Sequence, residues 1–273
     1  MLNLNKLRLE HQSIKIDPKD YPHINWDDLK ESGTINSIAL NQGCENALPG
    51  NTLEYINTII ENAITDRGGI PIFKGYHGYQ HGSCISPNSV AVHGVPNSYK
   101  LKAGDIVSID VGTSYNGWYT DAARTVVVFG NYNFKHRIAF DTDMILSITI
   151  SKIKAGISLL DIAQSLEQSA KERNIKLLPM LGGHYINKGI LHQEPFISNV
   201  VPTDPDELNK LKNHILKDGD IICIEPVTCL NIPDGYIDGN DGWSFRLIDE
   251  NDVAAHREAT LLVRKNNCIV ISA

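Results

Sequence analysis

Two aspartates eleven residues apart, Asp110 and Asp121, lie in segments with the character of paired β-strands. Ile106 to Val111 and Trp118 to Phe129 are rich in β-branched and aromatic residues, and Asn116-Gly117 lies between them. Asn-Gly is the preferred dipeptide of a two-residue hairpin turn. With that turn, cross-strand partners have numbers summing to 233, so Asp110 faces Ala123 and Asp121 faces Gly112. Both aspartates then project from one face as diagonal neighbours. Carboxylates so placed repel unless a cation or a shared proton lies between them. The plain alternative is a pair of solvated aspartates on a polar face, the default for Asp. Asp is uncommon in strands, however, and Asp110 interrupts the apolar run Ile106, Val107, Ile109, Val111.

Other candidates carry less information singly. Glu225 closes the apolar run Ile221-Ile222-Cys223-Ile224 and precedes Pro226; Glu258 opens Ala259-Thr260-Leu261-Leu262-Val263 and reads as solvated on its own. His184 follows Leu181-Gly182-Gly183, where glycines permit a close bend of the backbone, although a lone histidine is more often structural than a ligand. His93, at the end of Val90-Ala91-Val92, suits a packed core position or a cleft equally, and His192 is ambiguous in the same way.

An internal duplication supplies the elements that position these groups. Gly50-Asn51-Thr52-Leu53 resembles Gly156-Ile157-Ser158-Leu159, each a Gly followed by a helix N-cap residue. Apolar residues follow at helical spacing: Leu53, Ile56, Ile60 and Ala63 in one copy, Leu159, Ile162, Leu166 and Ala170 in the other. Further on, Gly104-Asp105-Ile106-Val107-Ser108-Ile109-Asp110 matches Gly219-Asp220-Ile221-Ile222-Cys223-Ile224-Glu225, and both end in a carboxylate. Two αβ halves, about 27–130 and 134–273, are expected around one shared site near a pseudo-twofold axis.

Composition bounds the rest. The 273 residues suffice for a sizeable core, and 25 basic against 32 acidic residues give a net charge of −7. That acidic balance disfavours nucleic acid or an anionic membrane as a partner. Charges break every short apolar run near Met1, so no leader peptide is expected, and no stretch approaches the ~20 apolar residues of a membrane span. The five cysteines form no CxxC pair, which argues against a disulfide framework or a cysteine zinc site. A cytoplasmic protein is expected.

Taken together, these residues resemble the methionine aminopeptidases of the short bacterial type, within the "pita-bread" metallopeptidases. The likeness runs from about Asp27 to the C-terminus, leaving residues 1–26 as an extension before a single catalytic domain, 27–273. Its specific stretches are Gly75-Tyr76-His77-Gly78-Tyr79, Cys84-Ile85-Ser86, His93-Gly94-Val95-Pro96, Asp110 through Thr125, Ile224-Glu225-Pro226 and Asp241-Gly242-Trp243-Ser244-Phe245. The resemblance implies an α+β pita-bread fold, two pseudo-twofold halves about a curved antiparallel sheet. It implies two divalent metal ions (Mn²⁺, Fe²⁺, Co²⁺ or Zn²⁺), with Asp110 on the first, His184 and Glu225 on the second, and Asp121 and Glu258 bridging. Water activated there would hydrolyse the first peptide bond, His93 assisting proton transfer and His192 meeting the oxyanion. Tyr76, Tyr79, Cys84, Leu191 and Trp243 would form a methionine pocket, although on sequence alone ordinary core packing is the favoured reading of them. Implied partners are peptide and nascent-protein N-termini with a small second residue, with transient ribosome association; a monomer is the family expectation.

The chain departs from the family pattern in places. His184-Tyr185-Ile186-Asn187-Lys188-Gly189 is one residue longer before His192, Ala259 replaces the usual histidine after Glu258, and Leu191 replaces the usual phenylalanine. About eight extra residues fall around Val200 to Lys212. Two rival readings remain: an X-Pro aminopeptidase or dipeptidase with the same metal residues, and a catalytically impaired homologue that binds peptides. The first usually carries a large extra N-terminal domain and the second usually loses ligands, and neither pattern is present in this sequence.

Overall fold

In the computed structural model the described residues are His11, 14–130 and 133–273. Residues 1–10, 12 and 13 of the expected extension, and 131 and 132 between the expected halves, lie outside the described residues. The rest of the extension is packed down. Tyr21, Ile24 and Trp26 are buried, and the Tyr21 hydroxyl donates to Asp218 Oδ1 at 2.5 Å.

The first half runs α1 (Trp26–Glu45), α2 (Leu53–Thr65), β1 (Ser83–Pro87), β2 (Ile106–Tyr115) and β3 (Trp118–Val127). The second opens with α3 (Phe134–Ile150), α4 (Leu159–Arg173), β4 (Gly182–Asn187), β5 (Ile190–Ser198) and α5 (Pro205–Asn213). It ends with β6 (Ile221–Ile224), β7 (Val227–Cys229), β8 (Ala254–His256), β9 (Ala259–Val263) and β10 (Cys268–Ser272). Helix α5, capped by Asp204, absorbs much of the extra length around Val200 to Lys212. All recorded strand pairings are antiparallel: β1–β2–β3 in one ladder and β10–β9–β6–β4–β5 in another. The expected α+β architecture is present, with the sheet divided into ladders that abut where β3 meets β9.

The hairpin register is the expected one, with Asp110 opposite Ala123 and Gly112 opposite Asp121. Asn116 and Gly117 both take positive φ, 48° and 84°, as a type I′ turn requires. Strand β3 stops at Val127 rather than Phe129: the Val128 N–H still meets its register partner, the Asp105 carbonyl, but the Asp105 N–H turns back to the Lys102 carbonyl and ends the ladder. In β2 the side chains alternate: Val107, Ile109 and Val111 join Leu53, Ile56 and Ile60 of α2 in one buried core. Each such side chain contributes about 1.5–3 kcal/mol on full burial. Ser108 and Asp110 are left on the opposite face, towards the second half.

The duplication extends to individual hydrogen bonds. Thr52 and Ser158 cap α2 and α4 by accepting from Tyr55 N and Asp161 N. The amides of Gly50 and Gly156 donate to the carbonyls of Leu101 and Leu216. Asp105 and Asp220 accept from the amides of Lys102 and Lys217, each at 2.8 Å. Gly104 and Gly219, both at positive φ, donate to Val128 and Val263. Numbers differ by 106 at the caps, 115 at the first strands and 135 at the second strands, the last step absorbing the long loop between β7 and β8.

The register continues through that loop. Ile224 faces Ala259 and Val227 faces His256, both pairs summing to 483. Glu225 therefore occupies the place of Asp110, Glu258 that of Ala123, and His256 that of Asp121. The dyad passes close to Ala123 and Glu258, since the Glu258 N–H donates to the Ala123 carbonyl at 3.0 Å. Thr260 Oγ1 accepts from Asp121 N at 2.8 Å and donates to Asp121 O at 2.7 Å. Thr125 Oγ1 does the same to His256, at 2.8 Å for both bonds.

Candidate metal centre and substrate cleft

All twelve residues singled out from the sequence line one cleft of about 300 Å³. At its floor stand Asp110, Asp121, His184, Glu225 and Glu258, contributed by β2, β3, β4 and the ends of β6 and β9. The approach of β4 depends on glycine: a Cβ on Gly183 would lie 2.1 Å from the Cys223 carbonyl oxygen, and one on Gly182 would lie 2.3 Å from that of Ile197. No other residue lets β4 bring His184 beside β6 at this spacing.

The floor is buried and acidic. Asp121 is 3% exposed and Glu258 2%. Burial, reinforced by repulsion from Glu258, Asp110 and Glu225, drives the Asp121 carboxyl well above the usual range. Burial, with repulsion from Glu225 and Asp110, does the same to Glu258; burial with Asp110 raises Glu225, and burial raises Asp110. Asp110 Oδ1, Asp121 Oδ1 and Glu258 Oε1 have no hydrogen-bond partner among the described residues. Buried acceptors are rarely left so in a folded protein. Donor atoms of Asp110, Asp121 and Glu258 lie within 4.8 Å of one another. His184 Nε2 lies 3.5 Å from Glu225 Oε1 and 3.8 Å from Glu258 Oε1. These are spacings of donors that share an ion and are too long for direct hydrogen bonds. Nδ1 of His184 meets the Tyr185 carbonyl at 3.0 Å, so that contact fixes which nitrogen is free for a metal. Burial, reinforced by His192, pushes the His184 imidazole down to about 3, so it stands neutral, as a ligand must. Carboxylates with one imidazole fit a hard-to-borderline divalent cation. Cys223 reaches the same place, and burial with repulsion from Glu258 and Asp121 raises its thiol well above the ordinary range in the metal-free state.

The walls carry the two other histidines. His93 has φ 56°, a left-handed conformation that costs a non-glycine residue about 1–3 kcal/mol and is concentrated at functional positions. Its pKa is lowered by the crowded rim, then by His256, although its ring is open to solvent at the mouth, which limits the depression; the imidazole is neutral at pH 7. His192 is likewise neutral and partly open, and its Nδ1 meets the Tyr76 hydroxyl at 2.8 Å. Tyr76 thus orients His192 as well as lining the cleft, a role the sequence does not reveal. Tyr79, Cys84 and Leu191 are buried in the wall, while Tyr76 and Trp243 are partly buried. Trp243 packs edge-on to Tyr79 with centroids 5.1 Å apart. Asp241 holds the Trp243 loop by accepting from the Trp243 and Ser244 amides, each at 2.8 Å. The Ser244 hydroxyl in turn accepts from Val95 N beside His93.

Two residues at the floor have no signal in the sequence. His256, 2% exposed, places Nε2 beside Glu225 and Glu258. Arg257, 4% exposed, donates to the Ala123 carbonyl and to Asp143 Oδ1, each at 2.8 Å. Continuing the strand register through Glu225 and Glu258 would have found His256; Arg257 is placed by contacts across more than a hundred residues.

A cleft with three buried carboxylates and a partly buried fourth on a pseudo-dyad is the arrangement of a metallopeptidase, and the chain belongs to metallopeptidase family M24, whose profile it matches over residues 27–265. Within that family its relatives include methionine aminopeptidases. That of Aquifex aeolicus is 31% identical, with 89% of this chain and 94% of the relative covered, and that of Clostridium perfringens is 32% identical, with 87% and 92% covered. The methionine aminopeptidase structure from Rickettsia prowazekii superposes with a TM-score of 0.84 at 27% identity, covering 95% of this chain and all of the other. The prolidase from Pyrococcus furiosus shares the fold at a TM-score of 0.66 and 19% identity, with 90% of this chain and 63% of the prolidase covered.

Proposed function

We propose that this protein is a metal-dependent methionyl aminopeptidase that removes N-terminal methionine from nascent proteins and peptides when the second residue is small. The observation that carries this reading is the cleft itself, with unpartnered buried carboxylates at one end and an aromatic, thiol-lined wall at the other. Methionine aminopeptidases matched over most of both chains support it, whereas the chain spans 63% of the prolidase.

On this reading residues 27–273 form one catalytic domain. Asp110, Asp121, His184, Glu225 and Glu258 would hold two divalent ions (Mn²⁺, Fe²⁺, Co²⁺ or Zn²⁺), Asp110 serving one, His184 and Glu225 the other, and Asp121 and Glu258 both. When bound, such a pair supplies an acidified water and an electrophile for the scissile carbonyl. The chain's own groups do the rest. Tyr79, Cys84, Leu191 and Trp243 receive the methionine thioether, which favours soft, polarisable and aromatic neighbours. With the Tyr76 hydroxyl donating to Nδ1, the His192 proton sits on Nε2 and can meet a developing oxyanion. His93, neutral at the mouth, can pass a proton to the leaving amine. We further propose that the protein works as a cytoplasmic monomer, transiently at ribosomes. No described helix is long and apolar enough to cross a membrane, and the net charge of −7 disfavours nucleic acid as a partner.

The test strips the purified protein with chelator, restores Mn²⁺ or Co²⁺, and assays Met-Gly-Met-Met beside an X-Pro peptide, with Asp121→Asn as control. Metal-dependent methionine release that the variant loses is the expected result. Two bound metals with neither peptide cleaved would overturn the activity and leave a binding module.

A further inference from the structure

We propose that His256 is a sixth ligand of the metal centre, a second nitrogen donor beside His184, set against Glu225 and Glu258. The inference rests on the dinuclear reading above and adds one residue to it. Three observations carry it.

The first is distance. His256 Nε2 lies 3.6 Å from Glu225 Oε2 and 3.8 Å from Glu258 Oε2. His184 Nε2 lies 3.5 Å and 3.8 Å from the Oε1 atoms of the same glutamates. Two imidazoles thus flank the glutamate pair from opposite sides at one spacing. That spacing exceeds a nitrogen–oxygen hydrogen bond of ~2.7–3.2 Å. Two donors ~2.0–2.2 Å from a common ion in tetrahedral geometry stand about 3.3–3.6 Å apart, the spacing each imidazole keeps to Glu225, with Glu258 slightly further off.

The second is satisfaction. His256 Nε2 is buried and has no hydrogen-bond partner among the described residues, and of the two glutamates it faces Glu258 also carries an unpartnered oxygen, Oε1. An imidazole nitrogen at such a place needs a proton acceptor at bonding distance or a cation.

The third is symmetry. His256 stands where the internal dyad places Asp121, facing Val227 as Asp121 faces Gly112. Thr125 grips its backbone as Thr260 grips that of Asp121, with the same two hydrogen bonds. The fold therefore aims both side chains into the centre from equivalent positions, one from each half.

The test is proton NMR of the protein loaded with two Co²⁺, in water and in D₂O. Each cobalt-bound imidazole whose second nitrogen carries a proton gives one strongly shifted, exchangeable N–H signal. Two such signals are expected in the unaltered protein, and one in His256→Gln, with cobalt affinity at one site weakened about 10–100-fold. A single signal with two cobalt ions bound would overturn the role of His256 and leave the dinuclear site standing. Failure to bind cobalt would overturn the dinuclear reading itself. The count in the unaltered protein decides the matter even if the variant fails to fold.

Discussion

Four carboxylates and four histidines share one cleft, and their protonation is coupled to whatever cation they hold. Burial raises Asp110, and burial with repulsion raises Asp121, Glu225 and Glu258, so the metal-free floor favours protons that a cation would displace. Titration calorimetry at pH 7 in buffers of different ionisation enthalpy is expected to show protons released on Mn²⁺ binding; a buffer-independent enthalpy would contradict it. Tyr76→Phe should lower kcat about three- to tenfold with little change in KM, the worth of one hydrogen bond that orients His192. An unchanged kcat would remove Tyr76 from that role. The aspartate pair was legible because a hairpin turn fixes parity, and parity puts both on one face. Glu258 was legible only through the family resemblance, since nothing local separates it from a surface glutamate at a strand start. His256 was not legible, because its meaning depends on a register carried across the loop from Leu230 to Val253.

Among the elements, β4 works with the least tolerance. Gly183→Ala would drive a methyl group into the Cys223 carbonyl and force β4 from β6, at a cost of about 3 kcal/mol. Denaturant unfolding should show that loss, and metal affinity should fall with it as His184 moves away; a variant with unchanged stability would refute the close packing. Gly117→Ala places a side chain at φ 84° in the turn, and should destabilise by about 1–2 kcal/mol without altering metal stoichiometry. The hairpin, the capped helices and the paired strands were written into local spacing, and they form as expected. The loop bearing Trp243 was not, because beyond the local bonds of Asp241 it is placed by the Ser244 bond to the His93 segment, between residues 149 apart in sequence.

For the whole molecule, the floor sets a conflict between folding and function. A carboxyl whose folded pKa is raised destabilises the fold once pH exceeds its unfolded value, because only the unfolded chain ionises freely. For Glu258 that window opens near 4.5 and extends upward. Glu258→Gln should therefore stabilise the metal-free protein at pH 7.5, with the gain vanishing towards pH 4, while abolishing the stabilisation that added Mn²⁺ gives the unaltered protein. Thermal unfolding with and without metal across that range would test both; a metal-free variant less stable at pH 7.5 would contradict the repulsion. The dyad between Ala123 and Glu258 has one more consequence. Neither half owns a full set of donors, so the cleft is a joint as well as a workplace. Ions seated there would fasten two copies of one ancestral plan, and arming the cleft would also lock the molecule shut along its own seam.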